Sequence, residues 1–251
     1  MLFHIILATL IVSLLSFVGI LIIKNQHSRF TELGISLAVG ALLGAVFLNI
    51  LPEIAELNHE QTEFHFLIIL IAIITFFLVE RLFNWHHCHH NPDHCSDCAS
   101  NNQHMGWINI MGDGLHNLVD GMIIGASFMV DWHLGVITTV AIILHEIPQE
   151  IGDFSILLKS GFSRAQALFW NFISAILAVL GGILIYFFSQ ANNMTGVLLS
   201  IAAGSFLYLA MSDIIPQLHH SARKHHTWQL IAMIGGILLI YLGNVLIPHS
   251  H

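Results

Sequence analysis

Apolar residues gather into eight blocks along this chain, at 3–23, 33–51, 64–83, 106–130, 133–158, 165–188, 197–215 and 228–247. Each is about 20 residues long, the length a helix needs to cross a bilayer core. None keeps the strict apolar–polar alternation of a membrane-barrel strand. The pattern predicts an all-α integral membrane protein with eight transmembrane helices, here called segments one to eight. They form a single transmembrane domain over 1–251, with a His/Cys-rich loop at 85–104. The first block lacks a basic leader and is too long for a signal-peptide core, so it reads as a membrane helix.

Composition agrees, with 56% hydrophobic residues and only 9% charged, where soluble domains carry about 25% charge. The positions of the seven bases say more than the net charge of -8. Lys24 and Arg29, Arg81, Lys159 and Arg164, and Arg223 and Lys224 all fall in loops on one side. By the positive-inside rule that side is the cytoplasm. Both termini are then outside, the His-rich loop is inside, and a multi-pass protein of a cell (inner) membrane is expected. The outer side carries Glu53, Glu56, Glu60, Glu63 and Asp131 instead. No feature points to nucleic acid.

Asn49-Ile50-Leu51-Pro52-Glu53 at the end of segment two echoes Asp213-Ile214-Ile215-Pro216-Gln217 at the end of segment seven. The two segments run in opposite directions. The echo suggests an inverted repeat of segments one to three and six to eight around four and five, a common transporter plan. The pairs Gly40/Gly44 and Gly121/Gly125 permit close helix packing.

Two polar clusters interrupt the pattern. Segment four carries His116-Asn117-Leu118-Val119-Asp120, and segment five carries His145-Glu146-Ile147-Pro148-Gln149-Glu150. An acid at mid-helix costs roughly 2.5 to 3.5 kcal/mol to insert, so such residues need a use. Positions four apart share a helix face, which stacks His116 with Asp120, His145 with Gln149, and Glu146 with Glu150. Imidazole with carboxylate is a zinc-type ligand set. Pro148 removes a helix donor, frees the Leu144 carbonyl, and is expected to kink or break segment five beside a polar cavity. Facing helices would bring His116, Asp120, His145, Glu146 and Gln149 around one ion. Interhelical hydrogen bonding is the plainer use of such residues, and a proton relay is the stronger competitor. Asp113 and Asp153 continue the two polar faces, and each either lines the path or does not. Asn49 and Asp213 either line its ends or cap helices beside a proline, while Glu80 and Arg81 read as interfacial anchors.

The loop residues His86, His87, Cys88, His89, His90, His94, Cys95 and Cys98 favour metal by composition. Cys95 and Cys98 have the spacing of half a zinc site, with no second C-x-x-C to complete it. The loop is read as one that captures or senses an emerging ion, against an inert linker, with His219, His220, His225 and His226 on the same side.

Two other function classes compete with passage of an ion. A membrane metalloprotease would use H-E-x-x-H on a helix, but Gln149 stands where the second histidine belongs. A metal sensor would use the loop alone, and would leave the acidic outer loop and the midplane ligands without a purpose.

HNLVDGMIIGASF in segment four and HEIPQEIGDFSILLKSGF in segment five resemble the signature helices of the ZIP (Zrt/Irt-like protein) metal transporters. They are most similar to the histidine-rich branch, whose fifth helix reads HEIPHE. The resemblance implies an eight-helix fold that moves zinc, and also iron, manganese or cadmium, into the cytoplasm as a homodimer whose bundles slide. Zn2+ is then the transported ion, with no organic cofactor. It further implies that His116, Asn117 and Asp120 are fourth-helix ligands, that His145 and Glu146 are the first fifth-helix pair, and that Glu150 is its last acid. Gln149 departs from the branch's histidine, and segment six has no acid, so one principal metal site is expected.

Overall fold

The computed structural model describes residues 1–17, 29–57, 61–84, 98–192, 195–219 and 226–246, and every regular element in them is helical. Segment one is the helix Leu2–Ser13 with a 3-10 turn at Leu14–Phe17. Segment two is Arg29–Ala45, a wider π turn at Val46–Ile50, and Leu51–Leu57. Segment three is Thr62–Asn84, segment four Cys98–Val130 and segment five Trp132–Lys159. Segment six comprises Arg164–Ala175 and Leu177–Asn192. Segment seven is Thr195–Tyr208, a π turn at Leu209–Ile214, and Ile215–His219, and segment eight is His226–Leu246.

Five of these stretches, in segments two, three, five, six and eight, are long and apolar enough to cross a membrane. Leu2–Phe17 and Gly196–Ser212 are apolar but shorter. Segment four has ample length, with 33 residues, and its polar cluster dilutes its hydropathy. Large apolar side chains such as Phe66, Leu70, Phe77, Phe187, Leu238 and Leu242 face outward, while Asn117, Asp120, His145, Glu146 and Glu150 are buried. Polar inside and apolar outside is how a chain meets lipid, where nothing solvates a polar group. The protein is an all-α, multi-pass integral membrane protein.

Several local expectations are corrected. Pro148 does not break segment five, which stays helical from Trp132 to Lys159, because packed neighbours hold the turn that the missing donor weakens. Segment six, expected as one helix, is interrupted at Ile176. There Val179 N–H bonds the Ile176 carbonyl three residues back. Just before it, the Ser174 hydroxyl donates its one hydrogen to the Asp113 carboxylate of segment four. Segment four begins at Cys98 rather than 106, so 98–104, expected as loop, is helical. The loop residues 85–97 lie outside the described residues, as do His220 and His225.

Packing follows the expected repeat. Exchanging one with six, two with seven, three with eight and four with five maps the two–eight contact onto seven–three, and the four–six contact onto five–one. All four contacts are present. The π turns match too. Leu51 N–H bonds the Val46 carbonyl and Ile215 N–H bonds that of Ala210, each one residue before a proline. Pro52 leaves the Leu48 carbonyl without its helical donor, and the Asn244 amide of segment eight donates to it at 3.5 Å. The glycine pairs sit at tight crossings. A Cβ on Gly121 would overlap the Ala178 carbonyl of segment six, and one on Gly40 that of Met233 in segment eight.

Candidate metal site

Segments four and five are joined only by Asp131, whose carboxylate caps segment five by accepting from His133 N–H at 2.9 Å. The two helices therefore run antiparallel and adjacent. Gly121 and Gly181 bring segment four against segment six at backbone distance, which fixes its height. His116 and Asp120 then meet His145 and Glu146 across the helix interface.

The distances describe a cage. His145 Nε2 lies 3.0 Å from Asp120 Oδ2 and 3.6 Å from Glu146 Oε1. His116 Nε2 lies 3.4 Å from Glu146 Oε1 and 3.7 Å from Asp120 Oδ2, and the two Nε2 atoms are 3.3 Å apart. All four donor atoms fall within 4.8 Å of one another, the one such group among the described residues. A tetrahedral zinc site with ligands about 2.0–2.2 Å from the metal has edges of about 3.3–3.6 Å. The observed spacings bracket that size.

Chemistry agrees with size. His145 Nδ1 lies 3.3 Å from the Ala141 carbonyl, which can only accept, and a proton on Nδ1 leaves the Nε2 lone pair for a metal. Asp120 and Glu146 are fully buried, and their four carboxylate oxygens accept no hydrogen bond. The groups facing them are the two imidazoles. Two acids left that way in a low-dielectric interior are costly unless a cation joins them. The Phe206 ring of segment seven stands edge-on to His145 at 6.1 Å and closes that side with apolar surface.

The remaining expected residues stand outside this group of four. Asn117 is buried and donates from Nδ2 to Asp113 Oδ1 at 2.9 Å and to the Asp113 carbonyl at 3.1 Å. Gln149 lies in segment five, half-buried and outside the four-atom cage. Glu150 is fully buried but stands outside the four-atom cage, and it accepts instead from Asn171 of segment six. Asp153 accepts from Asn109 at 3.1 Å. Asn49 is buried in the π turn of segment two. Asp213 lies in that of segment seven, and its side chain falls outside the described residues. Of the loop residues, only the backbone of Cys98 is described; His86, His87, Cys88, His89, His90, His94 and Cys95 are not.

Asn109, Asn171, Ser174 and Phe206 were not singled out from sequence. Asn109 stands four residues before Asp113 on the same helix face, a signal that was there to use. Segment six was searched for acids, whereas its contribution is an amide and a hydroxyl, Asn171 and Ser174.

Comparison with known proteins finds relatives along the chain. The ZIP Zinc transporter family model matches residues 1–105 and 85–244. The chain is 41% identical over 143 residues to Zinc transporter ZIP10 of Homo sapiens, covering 54% of this chain and 17% of that protein. It is 36% identical over 140 residues to Zinc transporter foi of Drosophila melanogaster, with 55% and 20% covered. It is 42% identical over 123 residues to Metal cation symporter ZIP14 of Xenopus tropicalis, with 48% and 26% covered. The matched stretch thus spans about a quarter or less of each of these relatives. With its family model matched along nearly the whole chain, this protein belongs to the ZIP zinc transporter family.

Proposed function

We propose that this chain carries a divalent transition-metal ion, zinc foremost, across the membrane through a site made by His116, Asp120, His145 and Glu146. The observation that carries the reading is the buried cage of four donor atoms within 4.8 Å of one another, two of them from acids that accept no hydrogen bond. Asn117, Gln149 and Glu150 surround the cage as auxiliary donors. The ion enters from the outer face, where Glu53, Glu56 and Glu63 gather cations, with Asn49 along its way. It leaves toward Asp113, Asp153 and the side where Asp213 lies. The bases, all on loops of one side, support a cytoplasmic His-rich loop and outside termini. The ions named for the relatives and the homodimer implied by the resemblance complete the reading, which includes iron, manganese or cadmium as further cargo.

Metal ligands must be deprotonated to bind, so an acidified compartment releases the ion. A membrane metalloprotease is disfavoured, because Gln149 replaces its second zinc histidine. A proton relay is disfavoured, because the paired Nε2 atoms and carboxylates have the spacing of a metal shell. Zinc uptake by the purified chain in liposomes tests this, with His116→Ala/His145→Ala beside it. Flux that vanishes in the double variant supports the reading. Flux that survives there, or an absence of wild-type flux, refutes it.

A further inference from the structure

We propose that Asp113 is a positioning residue that turns the amide oxygen of Asn117 toward the ion path, and so decides that an uncharged side chain can serve a cation. This deepens the proposed function and rests on it. An amide has two faces, and only its oxygen suits a metal. Left free, Asn117 would present either face, and an NH2 group pointed at a cation repels it.

The structure ties the Asn117 amide to one residue. The two hydrogens of Asn117 Nδ2 meet acceptors that both belong to Asp113, its Oδ1 and its main-chain carbonyl. A main-chain carbonyl can only accept, so the nitrogen faces Asp113. Asn117 Oδ1 is thereby directed the other way, and it is buried with no hydrogen-bond partner. Buried amide oxygens without a partner are uncommon, and this one belongs to the residue next in sequence to His116. Asp113 is held in turn. Ser174 of segment six, at the interruption of that segment, donates to Oδ2. One buried carboxylate thus aligns an amide of a site-bearing helix and is braced by another segment.

The consequence is a specific division of labour. The histidines and acids of the cage hold the ion directly, and Asp113 contributes only through Asn117. Loss of an outer partner of this kind weakens metal binding by about 10- to 100-fold. Because the main-chain carbonyl still holds Asn117 in part, the lower end of that range is expected.

Equilibrium zinc binding to the full chain in lipid nanodiscs tests this, with Asp113→Asn placed in the wild type and in an Asn117→Ala background. An asparagine at 113 offers both a donor and an acceptor, so the Asn117 amide loses its fixed orientation. The expected result is a zinc Kd raised about tenfold in the wild type and by under about twofold where the Asn117 amide is absent. An equal loss in the two backgrounds means a merely structural role and overturns the proposal, as does no loss in the wild type. Ser174→Ala keeps the carboxylate and removes its brace. It should repeat the same background dependence at smaller size, and it stands in should Asp113→Asn fail to fold. Zinc binding that ignores Asp113 yet is lost in His116→Ala/His145→Ala overturns the positioning role alone. Binding that survives the histidine double variant overturns the site itself.

Discussion

His145 Nε2 sits 3.0 Å from Asp120 Oδ2 across the interface of two antiparallel helices. Neither residue is near the other in sequence, and both are buried. The contact sets an imidazole of segment five against a carboxylate of segment four. In the proposed site it is half of a ligand shell, with His116 and Glu146 as the other half.

Removing an acid from that shell should cost both binding and stability. Asp120→Asn is expected to abolish zinc binding and to lower the melting temperature of the metal-free protein, because it takes the acid partner from two imidazoles at 3.0 and 3.7 Å, and breaking a buried pair is destabilising. Thermal unfolding of metal-free protein in detergent, wild type against variant, measures it.

Zinc itself should stabilise the folded chain. At a free concentration 100 times Kd a ligand adds about 2.7 kcal/mol. Chelation is therefore expected to lower the melting temperature of wild type and leave His116→Ala/His145→Ala unchanged. The shift should shrink as pH falls, because protons compete for imidazole and carboxylate.

The glycines of segment four should not be equivalent. Gly121→Ala drives a methyl into the Ala178 carbonyl, whereas an added Cβ on Gly112 meets nothing within 4 Å. Overpacking costs about 1–3 kcal/mol, while alanine at an open helix position gains up to about 1 kcal/mol. Paired melting curves of Gly121→Ala and Gly112→Ala should move in opposite directions.

The His/Cys loop should tune rather than perform transport. Deleting residues 86–97, which ends before the helix at Cys98, is expected to leave zinc uptake measurable in liposomes. Loss of all flux would move the essential ligands from the helices to the loop.

Much of this was legible in the chain. His116 with Asp120, and His145 with Glu146, announce themselves because an acid or imidazole inside an apolar run needs a reason to be there. The inverted repeat showed in one short echo ending in proline, and the structure adds the π turn that each proline closes. What stayed hidden depended on partners from elsewhere. Glu150 reads as a ligand from its place in the motif, yet Asn171, 21 residues further on, claims it. The interruption at Ile176 has no glycine or proline to mark it. Pro148 misleads in the opposite sense, because proline breaks isolated helices more readily than packed ones.

X-ray absorption at the zinc K-edge of the loaded protein tests the central claim most directly. The account predicts four nitrogen and oxygen ligands at about 2.0–2.2 Å, with an imidazole signature from two rings that disappears in His116→Ala/His145→Ala. Sulfur scattering at about 2.3 Å, or an imidazole signature that persists in the double variant, would contradict it and move the ion to the loop.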